Sequence, residues 1–214
     1  MPKNQTLDEF YSTFREEVLC ASDTETSGWT TEDFLTNVMM EYLEEAGEVT
    51  DPVICPFRGY GLQMNAYAIS EDCESVDIFV SIYSDSDRPR SVSQADIDAA
   101  IKRAIQLYHK AINDLYTAFQ KDNDTYEFAI TLHQNKDNIK HVRICALTNG
   151  LVKPIALKNI TIGDAEISFS LWDVDRLYRC VTSGKMRETI EIDFEEKFQT
   201  SIPCIENNTS KKYS

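Results

Sequence analysis

Two short segments, VDIFVSIY at 76–83 and HVRICAL at 141–147, are apolar and β-branched without the strict alternation of a strand that keeps one side in water. Strands of this kind point to a mixed sheet that helices cover on at least one face. The chain supplies such helices with matching start signals. Thr6, with Glu9 three residues on, is a capping-box pattern leading into a helix through about Leu19. A second helix begins at Thr30, with Asp33 in its first turn and a Trp29 to Phe34 staple. Leu35, Val38, Met39, Tyr42 and Ala46 form its apolar stripe, and Gly47 stops it. A third starts at Ser93, with Asp96 and a Val92 to Ile97 staple, and is predicted to run to about Phe119 along Ile97, Ile101, Ala104, Tyr108, Ala111 and Leu115. A fourth starts at Asp173 with a Trp172 to Leu177 staple and ends near Gly184.

The intervening segments read as strands. LQMNAYAI (62–69) and VDIFVSIY form a hairpin across SEDCES, and YEFAITLHQ (126–134) and HVRICAL a second across NKDNIK. An Asn149-Gly150 turn follows, and strands near 166–171 and 188–193 flank the fourth helix. The expected class is α/β, a mixed sheet flanked by helices, in one domain over 1–205 with a polar tail at 206–214.

Lys and Arg number 21 against 36 Asp and Glu, a net charge of −15, which argues against generic nucleic-acid binding because phosphate neutralisation needs a basic surface. The acidity is concentrated in residues 1–51, where 13 acids face 2 bases. That segment has two readings: solvated faces of amphipathic helices, or a protein-binding or DNA-mimicking surface through residues such as Glu41, Glu44 and Glu45. No window approaches the ~18 apolar residues of a membrane span, and MPKNQTLDEF lacks a signal-peptide core, so a cytoplasmic protein with no membrane partner is expected. Cys20, Cys55, Cys73, Cys145, Cys180 and Cys204 form no C-x-x-C pair and are read as reduced and structural.

The stretch 44–83 carries the chemical interest. A helix, a strand with an acid, then a strand with acid-x-Lys is the order of the metal-dependent PD-(D/E)-x-K nuclease core. There two carboxylates hold Mg²⁺ and the lysine polarises water. Acid and lysine stand two apart because only alternate strand residues share a face. Laid on this chain, the pattern puts Asn65 at the first carboxylate and Val80 and Ile82 at the acid and lysine. Asparagine is neutral, and valine and isoleucine cannot ligate a hard cation. The expected site is therefore a degenerate one in which Asn65, Val80 and Ile82 converge on one concave spot. No cofactor is expected, and Mg²⁺ enters only if relocated acids, Glu48, Glu74 and Asp77, serve instead. Among other patterns, His133 and His141 would face each other across the second hairpin but lack a third ligand. Gly59-Tyr60-Gly61 lacks the third glycine of a dinucleotide loop, and Asp173 and Asp175 read as helix-start acids.

In order along the chain, DEFYSTFREEV, YLEEAGEVTD, QMNAYAIS with VDIFVSIYSD, DIDAAIKRAIQLYHKA, HVRICALTNG, LWDVDRLYRC and ETIEIDFEE with IPCI resemble the N-terminal region of AIPR (abortive infection phage resistance) proteins, over about 7–205. The resemblance implies a bacterial anti-phage defence protein, typically longer than this chain. The partner it implies is the remainder of such a chain or a second copy. Some relatives carry an Asp on the first strand and Gln- or Glu-x-Lys on the second, and this sequence departs from that at Asn65, Val80 and Ile82.

Overall fold

A computed structural model describes residues 6–24, 28–121, 123–155 and 157–185. The helical signals at Thr6 and Thr30 produce α1 (Leu7–Thr24) and α2 (Thr31–Glu45). Strands β1 (Val53–Gly59), β2 (Leu62–Ile69) and β3 (Ser75–Ile82) follow as an antiparallel meander, with β1 paired to β2 and β2 to β3. The chain crosses through α3 (Gln94–Ala111), a short 3-10 turn (Leu115–Ala118) and α4 (Asp124–Asn135) to β4 (His141–Thr148). It continues to β5 (Ile160–Ile162), β6 (Ala165–Trp172) and α5 (Val174–Lys185). Among the described residues the six strands stand in the order β1-β2-β3-β4-β6-β5, with β3, β4 and β6 mutually parallel and β5 antiparallel to β6.

The apolar runs at 76–83 and 141–147 occupy the centre of this sheet, where both faces are covered. Val76, Ile78 and Val80 pack with Val142, Ile144 and Ala146 against α3 and α4. Phe79, Cys145 and Leu147 point the other way, into Phe10, Phe14, Leu35, Met39 and Leu43 of α1 and α2 and Leu177 of α5. Among the described residues no helix is long and apolar enough to cross a membrane.

Three expectations are corrected. Residues 126–134 are helical, not a strand: Asn123 caps α4 by accepting from Thr125 N–H, and Phe128, Ala129 and Leu132 bury one helical stripe. His133 and His141 therefore do not face each other across a hairpin. His133 lies on α4, where Nδ1 is 3.2 Å from the Ile112 carbonyl, and His141 opens β4, whose neighbours are the parallel β3 and β6. The third helix stops at Ala111 rather than Phe119, because the chain turns at Ile112 into the 3-10 segment. Strand β1 carries no alternating signal, and Pro56 interrupts it at a bulge: two residues, Cys55 and Pro56, stand opposite Asn65 between the pairs Ile54↔Ala66 and Phe57↔Met64. The strand expected at 188–193, Cys204 and the tail 206–214 lie outside the described residues.

Candidate functional site

The bulge shapes the place where the first nuclease carboxylate was expected. The β2–β3 ladder runs from Ile69↔Val76 to Ala66↔Phe79. Beyond it, side chains of β2 take over the hydrogen bonding to β3. Ser81 N–H donates to Asn65 Oδ1 at 2.9 Å, and the Ser81 carbonyl lies 3.2 Å from Gln63 Nε2. Gln63, Asn65 and Ser81 are each buried, and a strand interior tolerates such groups only when they are paired.

Helix α2 supplies the pairing from one face. Asp33 uses one oxygen to accept from Thr30 N–H (2.8 Å) and the Thr30 hydroxyl (2.7 Å), holding the helix start, and its other oxygen accepts from Asn65 Nδ2 at 3.0 Å. Ser81 Oγ donates to Thr36 Oγ1 at 2.6 Å, since the Thr36 proton is already given to the Glu32 carbonyl. Glu32 Oε1 receives Arg58 Nη2 at 2.8 Å and Gln63 Nε2 at 3.2 Å. Gln63 Nε2 is also 3.3 Å from Asn65 Oδ1, so its two hydrogens are shared among three acceptors. Its own Oε1 accepts from Arg103 Nη1 of α3 at 3.0 Å. Because α2 and α3 cover opposite faces, this network passes through the sheet at the gap between β2 and β3.

Two carboxylates and two guanidiniums are thereby drawn together. Burial pushes the Glu32 carboxyl above its ordinary range, and the Arg58 guanidinium opposes that shift. The donors do not suit a divalent cation, which wants several charged or carbonyl oxygens free to converge. Glu32 is engaged by Arg58, Asp33 by the helix start, and Asn65 is neutral. No cluster of three His, Cys, Asp or Glu able to hold a metal occurs among the described residues.

The expected trio does not converge. Asn65 lies with α2, whereas Val80 packs into the α3 layer and Ile82 lies half-buried against that same layer. The strand parity assumed in laying the motif on the chain fails at the bulge: Met64 and Ala66, two apart, belong to opposite layers. The residue of β3 that meets Asn65 is Ser81. Of the alternative acids, Asp77 sits opposite Arg143 on the β3–β4 pair and is gripped by it, Nε to Oδ1 at 2.9 Å and Nη2 to Oδ2. That hydrogen bonding lifts the Arg143 guanidinium further above its ordinary value. Arg143 Nη2 also reaches the Glu48 carbonyl at 3.3 Å, and Glu48, Asp77 and Arg143 share the wall of an open cleft of about 420 Å³. Glu74 is exposed, and its carbonyl accepts from Lys140 N–H and His141 N–H. Asp173 accepts from Arg176 N–H at 2.8 Å and Val152 N–H at 2.9 Å, a structural cap as expected. The Cys55 thiol is buried and pushed up to about 11 by desolvation, which removes it as a nucleophile at neutral pH.

Sequence reasoning passed over Glu32, Arg58, Gln63, Ser81 and Arg103. The available signal was two polar residues, Gln63 and Asn65, in an otherwise apolar strand; Asp33 was noticed, but only as a helix-start residue.

No curated protein and no solved structure matches the chain. A family model, abortive infection phage resistance protein N-terminal domain, matches residues 35–179. That match covers more than half of the sequence and runs from α2, whose first turn carries Glu32 and Asp33 just ahead of it, through β2 and β3 to α5. The chain belongs to the AIPR N-terminal domain family.

Proposed function

We propose that this domain is a catalytically lapsed, nuclease-like module of an abortive-infection defence protein, retained as a scaffold, oligomerisation or sensing unit. The single observation that carries the reading is the network at the β2–β3 gap. Helix, first strand and second strand follow in the nuclease order and bring one polar side chain set together. Where metal chemistry needs converging free carboxylates, the polar groups that meet here are Asn65, Ser81 and a Glu32 paired with Arg58. Amides and guanidiniums hold the sheet together at this point and leave no open ligand set for Mg²⁺. Relocation of catalysis to Asp77 and Glu48 is disfavoured by the two-point grip of Arg143 on Asp77. The purified chain incubated with Mg²⁺ or Mn²⁺ and plasmid, single-stranded DNA or RNA is expected to leave all three intact. Metal-dependent cutting that disappears in Glu32→Ala or Asp77→Ala would overturn the proposal.

A further inference from the structure

The β1–β2 turn is built against its own conformational preference. Gly59 pairs with Leu62, leaving Tyr60 and Gly61 as a two-residue turn with φ of 55° and 75°. Positive φ at both positions is the type I′ requirement, met most easily by Asn-Gly. A tyrosine in the first position is strained, and Tyr60 recovers nothing by packing, for it is 94% exposed. The other exposed large hydrophobics among the described residues, Val53 and Ile160, lie at the far end of β1 and on the opposite edge of the sheet. Tyr60 is thus a single aromatic ring presented to solvent without the apolar surround of a protein interface.

Beside the turn runs a helix segment that carries basic residues. An ideal Cβ on Gly61 would stand 3.9 Å from Gln106 Oε1, so the turn lies against α3. Arg103, one helical turn earlier, reaches β2 through Gln63. At 3.6 residues per turn, Arg103 and Lys110 flank Gln106 on the side toward the turn, and Lys102 and His109 continue onto the solvent side. Residues 99–113 contain no Asp or Glu, in a chain whose net charge is −15. Lys102 and Lys110 are exposed and make no ion pair among the described residues. A half-exposed arginine, Arg58, lies on the β1 side of the same turn.

We propose that the β1–β2 turn and the adjoining face of α3 bind single-stranded nucleic acid, Lys102, Arg103 and Lys110 meeting phosphates while Tyr60 stacks on an unpaired base. An open ring beside a short basic track is the combination that single strands use, because every base offers a π-face and every linkage a charge. The overall acidity confines the contact to this patch. The site borders the buried network and shares Arg103 with it, while Arg58 stays on Glu32 beneath.

The test is fluorescence anisotropy of the 214-residue chain with a labelled 20-nucleotide oligouridylate or oligothymidylate, in EDTA. Saturable binding is expected, weakening by about twentyfold between 50 and 200 mM salt for roughly three phosphate contacts. Lys102→Glu with Lys110→Glu should weaken it at least tenfold. Lys153→Glu with Lys158→Glu, an equal charge change near β5, should leave it within twofold. Tyr60→Asn relieves the turn and so should hold or raise the melting temperature while weakening binding about fivefold or more. No saturable binding, equal loss in both lysine pairs, unchanged binding in Tyr60→Asn, or equally tight binding of a duplex would each overturn the proposal. Cutting seen only when metal is added would overturn the non-cleaving reading and leave this one standing.

Discussion

Replacing Asn65 by leucine would strip partners from two buried groups at once, the Ser81 N–H and one Asp33 oxygen. The expected cost is about 2–4 kcal/mol in urea unfolding, well above that of an exposed polar substitution. Asn65→Asp keeps the acceptor for Ser81 but sets a second carboxyl against the Asp33 oxygen now 3.0 Å from Nδ2. Its folded state then binds protons more readily than the unfolded chain, so stability falls as pH rises, and the variant should approach the parent as pH is lowered toward 4. Glu32 already behaves this way in the parent: burial raises its folded carboxyl, so its ionisation detracts from stability as pH rises through the carboxylate range. Urea titrations at stepped pH should show the difference between Glu32→Gln and the parent moving in the variant's favour from acid to neutral pH, then levelling. A pH-independent difference would mean that the Arg58 pair cancels the burial.

At the scale of elements, the parallel strands are fastened at their carboxyl ends by close backbone contact. A Cβ on Gly150 would lie 2.5 Å from Val92 Cγ2 and 2.6 Å from the Arg90 carbonyl, where Val92 N–H bonds the Leu151 carbonyl and Leu151 N–H bonds the Arg90 carbonyl. Backbone cannot give way as a flexible side chain can. Gly150→Ala should therefore cost about 1–3 kcal/mol, seen as a lowered melting temperature. The same scale shows what could be read from the chain. Helices α1, α2, α3 and α5 announced themselves because each joins a cap residue to an apolar stripe, and β2, β3, β4 and β6 because apolar runs are bounded by turn residues. Helix α4 was hidden by Tyr126, Phe128, Ile130 and Thr131, residue types that favour strands, and its cap, Asn123, falls in a run of polar residues. Strand β1 was hidden by Pro56, and with it the bulge opposite Asn65, where the parity of β2 changes. The buried network was consequently half visible: Asn65 was placed on the correct strand, but its partner on β3 was sought one residue away on either side of Ser81.

For the molecule as a whole, two helical layers share one sheet, so neither layer can loosen without exposing the other's support. Leu43→Ala, in the α2 layer, and Leu107→Ala, in the α3 layer, should each cost about 2–5 kcal/mol. Tryptophan fluorescence comes from Trp29 and Trp172, both associated with the α2 layer. In Leu107→Ala that signal should nevertheless shift together with far-ultraviolet circular dichroism, in a single transition. Separate midpoints would show that the layers melt independently.

The bulge at Cys55 and Pro56 also bears on how copies of this domain can meet. An outermost strand invites another strand to add beside it, and a proline with a bulge spoils that template by removing a donor and twisting the rim. Growth of the sheet from one molecule into the next is therefore blocked at β1. Any assembly this chain builds on that side must use helices or turns rather than a continuous intermolecular sheet.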